Sequence, residues 1–489
     1  MTQCTRRCPA TMFRGGINAM LIRMLSQRKQ EPAWMLDFRL AALAQFERMT
    51  LPKKHKEILA ALDLSKLCYY VNPCTSCTST CSVAGANNFR ISDSGVLNFQ
   101  AREFKKGDSG VGGFRAHGSQ IGDFLSGGAR ADCSEIGNAC AGTSLQQESE
   151  VVATTLHKKW TDLGVLFCSM DEAVKKYPEL VQQYLGTVVT HDNNIFAALN
   201  GAVWSGGSFV YVPVGVQIDE PLSTFFSIQS RNFGQFERTL IIADKGARAH
   251  YFEGCESSKN ADCVLHSGVV ELVALEDASI RYSTVQQWSP QVFNLVTKRA
   301  VAYKNSTIEW IDGNVGSKLT MKYPTTLLQG EGARAQLISL SIAAFGQVQD
   351  SGGSMLHKAS NTQSYILSKS LCSRGGRSIF NGLVHVDAGA QNVHAESRCE
   401  SLLLDAQSST ASYPRVDCYN NSARVTHEAT VSSLDTRQLL YLQSRGIREQ
   451  EARALMINGF VEAFVTQLPP EYGLEIQRLL DETLSESSL

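Results

Sequence analysis

The 489-residue chain lacks an excess of charge of either sign: 46 lysines and arginines face 47 aspartates and glutamates, for a net charge of −1. Proteins that grip a phosphate backbone show a basic excess or stripe, so nucleic acid is not an expected partner. No window approaches the roughly 18 unbroken apolar residues of a bilayer crossing, and no apolar run of signal-peptide length occurs near the start. Membrane insertion and secretion are therefore not expected. The 14 cysteines are too sparse for a secreted disulfide scaffold, which points to a reducing compartment where thiols stay free as ligands or sulfur carriers. The cytoplasm is the expected location. The first 30 residues hold six basic side chains (Arg6, Arg7, Arg14, Arg23, Arg28, Lys29) and no acid, a weak likeness to a transit peptide that makes an organelle such as a plastid the alternative. Also absent are the phosphate loop G-x-x-x-x-G-K-[ST], the G-x-S-x-G elbow and the H-E-x-x-H zinc motif. Without such an engine the chain is not expected to be an enzyme.

What is present divides the chain into five stretches. Residues 1–90 include apolar side chains at helical spacing (Trp34, Leu36, Phe38, Leu40, Leu43, Phe46), with Pro32 suited to a first helical turn. Residues 91–149 read as a glycine-rich insertion, with ten glycines between positions 107 and 142. Residues 150–205 read as helical, broken or restarted at Tyr177-Pro178. From 206 to 425 short β-rich runs alternate with glycine, asparagine and aspartate. Residues 426–489 return to helical stripes: Ala452, Leu455, Met456, Gly459, Phe460 and Phe464, then Leu474, Ile476, Leu479 and Leu480. Such stripes either pack on the parent domain or dock a partner subunit.

A repeat emerges in the β-rich stretch. Each unit is a strand end, a polar turn, a small residue and a new strand, and the small residues Ala247, Ala278, Ser306 and Ala333 are spaced by 31, 28 and 27 positions. A weaker copy surrounds Ala388-Gly389-Ala390. A near-constant period without helices predicts stacked coils sharing one core, a parallel β-helix flanked by helical segments, with an irregular β-sandwich as the alternative.

Three groups of residues can carry chemistry. Cys74, Cys77 and Cys81 form C-x2-C-x3-C, a spacing at which thiolates converge on zinc or an iron-sulfur cluster if a fourth ligand is found; otherwise they are reduced surface thiols. Cys255, in Glu253-Gly254-Cys255-Glu256, reads on composition alone as a small buried hydrophobe. Cys399, Cys418, His427 and Glu428 fall where the β-rich stretch ends, and thiolate, imidazole and carboxylate together suit a nascent iron-sulfur unit. Alone, the His-Glu pair reads as a cap or a salt bridge.

The strings Glu31-Pro32-Ala33-Trp34-Met35-Leu36, Tyr184-Leu185-Gly186-Thr187-Val188-Val189, Gly234-Gln235-Phe236-Glu237-Arg238-Thr239, Tyr282-Ser283-Thr284-Val285-Gln286, Val296-Thr297-Lys298-Arg299-Ala300 and His427-Glu428-Ala429-Thr430 resemble the SufB type of the SufB/SufD family, scaffold proteins of the SUF iron-sulfur cluster assembly system. The likeness runs from about residue 17 to 480 with the glycine-rich stretch as its main gap. It implies a right-handed parallel β-helix. It also implies partners: the ATPase SufC, which would supply ATP hydrolysis, SufD or a second SufB copy, a cysteine desulfurase with its sulfur carrier, and apoprotein acceptors. By the same resemblance Cys255 is the persulfide acceptor, Cys399 the assembly-site cysteine, and His427 and Glu428 its neighbours beside the nascent cluster. Glu237, Thr284 and Lys298 match polar groups along a path between the two cysteines, and Lys298 is expected to lower the Cys255 thiol pKa. The chain departs from the family at Ser227, where arginine is common, and at Val425-Thr426, where Leu-Glu is common.

The function expected from this reading is a scaffold that accepts persulfide sulfur and iron, builds a cluster at a subunit interface and transfers it to apoproteins. The alternative is a SufD-like structural partner without sulfur-acceptor activity, against which the pairing of Cys255 with Cys399 counts. Whether a reduced flavin binds is open at this level.

Overall fold

The computed structural model describes residues 16–71, 141–230, 232–258 and 264–469, with positions 12–13, 90–91, 97–98, 473, 476, 478 and 480. Cys74, Cys77, Cys81 and most of the glycine-rich stretch lie outside the described residues.

Runs of β-branched and aromatic residues form two parallel sheets between which the chain alternates. One carries Ser208–Val212, Arg238–Ala243, Val269–Ala274, Val292–Ala302, Val348–His357, Arg377–Val386 and Ser409–Cys418; the other carries Leu222–Ile228, Arg248–Ser257, Ser279–Trp288, Thr307–Gly316, Arg334–Ala343, Gln363–Cys372, His394–Leu403 and Arg424–Ser433. The result is a β-solenoid of about eight turns, the parallel β-helix expected from the repeat. Parallel pairing between successive coils, as in Arg248↔Ser279↔Thr307↔Arg334, removes the sandwich alternative.

The small residues of the repeat mark its corners. Ala247, Ala278, Ser306 and Ala333 are each at most 1% exposed, and each donates its N–H to the carbonyl three residues back, on Asp244, Leu275, Tyr303 and Gly330. The residue before each one, Gly246, Asp277, Asn305 or Gly332, has φ of 64°, 59°, 54° or 72°, a left-handed conformation that glycine, asparagine and aspartate adopt most readily. The next two coils repeat the corner at Thr362 after left-handed Asn361 and at Val393 after left-handed Asn392, whereas buried Ala390, in the weaker copy of the repeat, follows a glycine without left-handed φ.

Helices cover the outer faces. Ala19–Lys29, Ala33–Arg48 and Ile195–Val203 bury Leu21, Ile22, Leu25, Leu43 and Phe196 against Phe236, Leu265, Phe293 and Leu319. Pro32 sits at the N-cap rather than inside the first turn. Arg28 and Lys29, two of the six N-terminal basic residues, are structural: Arg28 Nε donates to Tyr70 Oη at 3.1 Å and Lys29 pairs with Asp171 at 2.8 Å. On the other sheet, Glu449–Val465 buries Ile457, Val461 and Phe464 against Phe252, Ile311, Ile338 and Leu340.

Three segments depart from the sequence reading. Glu150–Leu156, expected to be helical, is a strand paired antiparallel with Gly142–Gln147, which the reading placed in the insertion. Val151, Val152, Thr154 and Thr155 pack better on a pleated surface than on a helix. Leu166–Ser169 is likewise a strand, whereas Pro178 does open a helix, Pro178–Tyr184. At the far end Arg424–Ser433 continues the solenoid past the boundary drawn at 425, so His427 and Glu428 belong to the last coil and helices resume only at Thr436. Among the described residues no helix is long and apolar enough to cross a membrane.

Candidate functional site

Alternate residues of a strand face opposite sides, and in-register stacking turns each inward position into a column through the solenoid. One column reads Glu253, Thr284, Asp312, Ser339, Ser368, Cys399. The neighbouring column, two residues along each strand, reads Cys255, Gln286, Asn314, Ser341, Ser370, Ser401. All twelve positions are buried. The columns join Cys255 to Cys399 across five coil steps, roughly 24 Å at about 4.8 Å per step.

A polar seam through a β-core is costly unless it is hydrogen-bonded, and this one largely is. Gln286 Nε2 lies 3.7 Å from Cys255 Sγ, and its Oε1 accepts from Lys322 Nζ at 2.9 Å and from Asn294 Nδ2 at 2.9 Å. Lys298 and Lys322, both fully buried, each place Nζ 3.0 Å from Asp312 Oδ1, while Asn314 donates to Oδ2 at 2.9 Å. The two ammonium groups hold the Asp312 carboxyl well below the ordinary range against the opposing effect of its burial. Further along, hydroxyls pair as Ser339 with Ser368 at 3.0 Å, Ser341 with Ser351 at 3.1 Å and Ser370 with Ser401 at 2.8 Å. Trp288 Nε1 and Asn314 Oδ1, both buried, have no partner among the described residues.

Around Cys255 the walls are apolar: Cys68, Val71, Phe226, Ile228, Phe233, Val264, Trp288 and Val292. Burial pushes its thiol well above the ordinary value, with the carboxylates of Glu253 and Glu237 adding to the rise. Lys298 and Lys322 pull the other way without prevailing. Lys298 thus acts in the expected direction, but its ammonium is committed to Asp312, and burial with two carboxylates outweighs it. Thr284 donates to Glu253 Oε1 at 3.3 Å. Glu237 lies outside the columns, its Oε1 2.6 Å from His266 Nε2, and His266 Nδ1 reaches Asn294 Oδ1 at 2.8 Å. Contacts therefore run from Glu237 through His266, Asn294 and Gln286 to Cys255. Ser227 lies opposite Glu256 on the outer face.

At the other end Cys399 is 4% exposed, and burial raises its thiol while the Ser412 and Ser401 hydroxyls oppose the rise. His427 stands opposite Ser397 in the last coil and so faces the same side as Cys399; its Nε2 is buried without a partner among the described residues. Glu428 stands opposite Arg398 and faces outward, 63% exposed, with Arg398 Nε at 3.4 Å. Within one chain, then, His427 is brought to the Cys399 side and Glu428 is not. Cys418 ends the opposite sheet and is exposed, apart from Cys399. Among the described residues no group of three metal-ligating side chains converges within the chain.

Sequence reasoning named Thr284 alone among the polar column positions between the cysteines. The missed residues were within its reach: stepping from Cys255 by 31, 28, 27, 29 and 31 lands on Gln286, Asn314, Ser341, Ser370 and Ser401. A repeat that is small at its corners and polar at this inward position in every coil is a signal.

The chain is similar in sequence to known proteins. The profile described as SUF system FeS cluster assembly, SufBD core domain, matches residues 226–460, and that of the SufBD protein N-terminal region matches 141–224. An iron-sulfur cluster assembly SufBD family protein of Staphylococcus saprophyticus is 41% identical over 466 residues, covering 95% of this chain and 92% of its own. Relatives of the same description from Staphylococcus aureus strains MRSA252 and USA300 match at the same identity and coverage, 41% over 95% of this chain and 92% of theirs. Since the core profile covers the coils that carry both Cys255 and Cys399 and the likeness extends through the helical ends, the protein belongs to the SufBD family of iron-sulfur cluster assembly proteins.

Proposed function

We propose that the protein is the sulfur-accepting scaffold of this family, a SufB-type subunit. Cys255 accepts sulfane sulfur from a cysteine desulfurase through its carrier. The sulfur moves along the polar columns, and iron joins it at Cys399 with His427, where the nascent cluster is the cargo rather than a resident cofactor. The observation that carries this reading is the continuity of the two adjacent columns: one begins at the buried Cys255 thiol, the other ends at the buried Cys399 thiol, and both are polar at every step between. A purely structural solenoid gains nothing from filling its interior with lysine, aspartate and asparagine when apolar side chains need no partners.

The geometry at the Cys399 end supports a partner there. Ser409–Cys418 and Arg424–Ser433 are each the last strand of a sheet, so a ten-residue edge of each is unpaired among the described residues. Tyr413, Val416 and Val431 are exposed on them, and Tyr419 is exposed just past the first. Open parallel edges of this length invite strand pairing with another chain. SufD or a second copy on this end would complete the ligand set that one chain leaves unfinished, and would shield the cluster. Thr436–Ser444 buries none of its residues and exposes Leu440 and Tyr441, while Glu449–Val465 exposes Leu455 opposite a buried inner face, which suits docking of the ATPase SufC.

Anaerobic reconstitution with desulfurase, carrier, ferrous iron and the ATPase tests the reading. Absorbance and Mössbauer spectra should show a cluster on the parent complex and none with Cys255→Ser or Cys399→Ser. A SufD-like partner that carries no sulfur would show no dependence on either cysteine.

A further inference from the structure

Glu253 heads one of the two columns but has no role in the sulfur chemistry set out above, yet it is the side chain whose oxygen meets the Cys255 thiol. It is 1% exposed and lies two residues before Cys255 on the same strand and the same inward face. Cys255 Sγ donates toward its Oε1 at 3.6 Å, Thr284 Oγ1 donates to the same oxygen at 3.3 Å, and Tyr282 Oη donates to Oε2. All three contacts set a group able to donate a proton against the carboxylate. Among the described residues no cation forms an ion pair with it. The two nearby ammonium groups, Lys298 and Lys322, are both bound to Asp312, and the other titratable groups facing it are Tyr251, Tyr282 and, beyond Cys255, Glu237.

Resting on the reading that Cys255 accepts sulfur, we infer that Glu253 is a catalytic residue: the base that takes the thiol proton as Cys255 attacks the incoming persulfide. Cys255–SH gives its proton to Glu253 Oε1 and its sulfur attacks the outer sulfur of the donor R–S–SH. A new S–S bond forms, the donor S–S bond breaks, and the proton held by Glu253 passes to the leaving thiolate. The balance is Cys255–SH + R–S–SH → Cys255–S–SH + R–SH, with no external electrons. Charge explains why a base is needed. A free thiolate formed beside a carboxylate in a buried site would place two negative charges within one contact distance. Transfer of the proton to Glu253 keeps a single negative charge on the pair throughout. The raised proton affinity of the thiol agrees with this, since spontaneous ionisation near neutral pH would leave little nucleophile.

The test is single-turnover transfer from glutathione persulfide to the full chain, with persulfide on Cys255 read by mass spectrometry between pH 7 and 9.5. Glu253→Gln, close in shape to the native side chain, should slow acceptance about 100-fold at pH 7, the lower end of what a positioned base contributes. The deficit should close by about tenfold per pH unit as hydroxide replaces the base. Formate added to Glu253→Ala should restore acceptance at pH 7, while circular dichroism reports that each variant is folded. A Glu253→Gln rate equal to the parent's, or a deficit constant over the whole pH range with no rescue by formate, overturns the inference. The underlying reading fails separately: it falls if Cys255→Ser still acquires persulfide at the parental rate, whereas loss in Cys255→Ser with no effect of Glu253→Gln removes only the role of Glu253.

Discussion

Replacing Asp312 by asparagine strands two buried ammonium groups. In the parent, Lys298 and Lys322 share one oxygen of this carboxylate at 3.0 Å, and none of the three side chains is more than 3% exposed. Removing one member of a buried charge set costs about 3–5 kcal/mol, because the remaining charge is left without compensation. At about 2 °C per kcal/mol, that lowers the unfolding midpoint by roughly 6–10 °C at pH 7. The deficit should depend on pH in a definite sense. Burial lowers Lys322 from 10.5 to about 8, with Asp312 resisting the fall and Lys298 adding to it. A cation whose folded value is depressed destabilises while it is charged, so parental stability rises with pH between about 8 and 10.5. In Asp312→Asn the resisting carboxylate is gone and Lys322 sheds its proton at lower pH still. At pH 9.5 Lys322 is largely neutral in either protein, and the cost of the substitution shrinks to that of the one lysine left unpaired. Urea unfolding followed by circular dichroism at pH 7 and 9.5 measures both quantities. A deficit under about 1 kcal/mol at pH 7, or an equal deficit at the two pH values, would refute the charge argument.

Three further outcomes follow from packing and exposure. Phe464→Ala should cost about 3–5 kcal/mol of the docking of Glu449–Val465, because Phe464 is fully buried against the solenoid; limited proteolysis should cut near residues 434–448 while the β-sheet signal persists. Glu271→Ala should destabilise by about 3–5 kcal/mol, since Glu271 pairs with fully buried Arg238 at 2.6 Å and accepts the backbone N–H groups of Gly186, Val188 and Val189; differential scanning calorimetry reads the loss. Cys399, 4% exposed, should be alkylated slowly in the resting complex with the ATPase and faster with ATP, and equal rates would mean that nucleotide does not open the site.

Much of the solenoid was legible in the chain because its corners obey a strict local rule: a residue tolerant of left-handed backbone, then one small enough to be buried. Ala247, Ala278, Ser306 and Ala333 announced the coils for that reason. The seam was harder to read because serine is common in turns and on surfaces, and because coil lengths from 27 to 31 residues blur its period. Once the register is known, Ser339, Ser341, Ser368 and Ser370 stand one above another in pairs. The segment 150–156 was misread because Val151 and Val152 fit a helical stripe as well as a strand, and only its pairing with 142–147 decides between them. His427 and Glu428 were grouped by sequence adjacency, whereas strand geometry sends neighbours to opposite faces; with the last coil extending to Ser433, only His427 shares the side of Cys399. The effect of Lys298 on Cys255 depends on where every other charge sits, and Asp312 is distant in sequence from the thiol it governs.

The central claim, that sulfur enters at Cys255 and is delivered to Cys399, is tested most directly by following one labelled atom. The anaerobic complex is loaded with one equivalent of ³⁴S-labelled persulfide and freed of donor. Ferrous iron and ATP are then added, and label is measured by mass spectrometry on Cys255 and in acid-labile sulfide. The label should leave Cys255 and appear in the cluster, and Cys399→Ser should hold it at Cys255. Parental incorporation of label into clusters by Cys255→Ser, or clusters formed by the parent while its label stays on Cys255, would contradict the account.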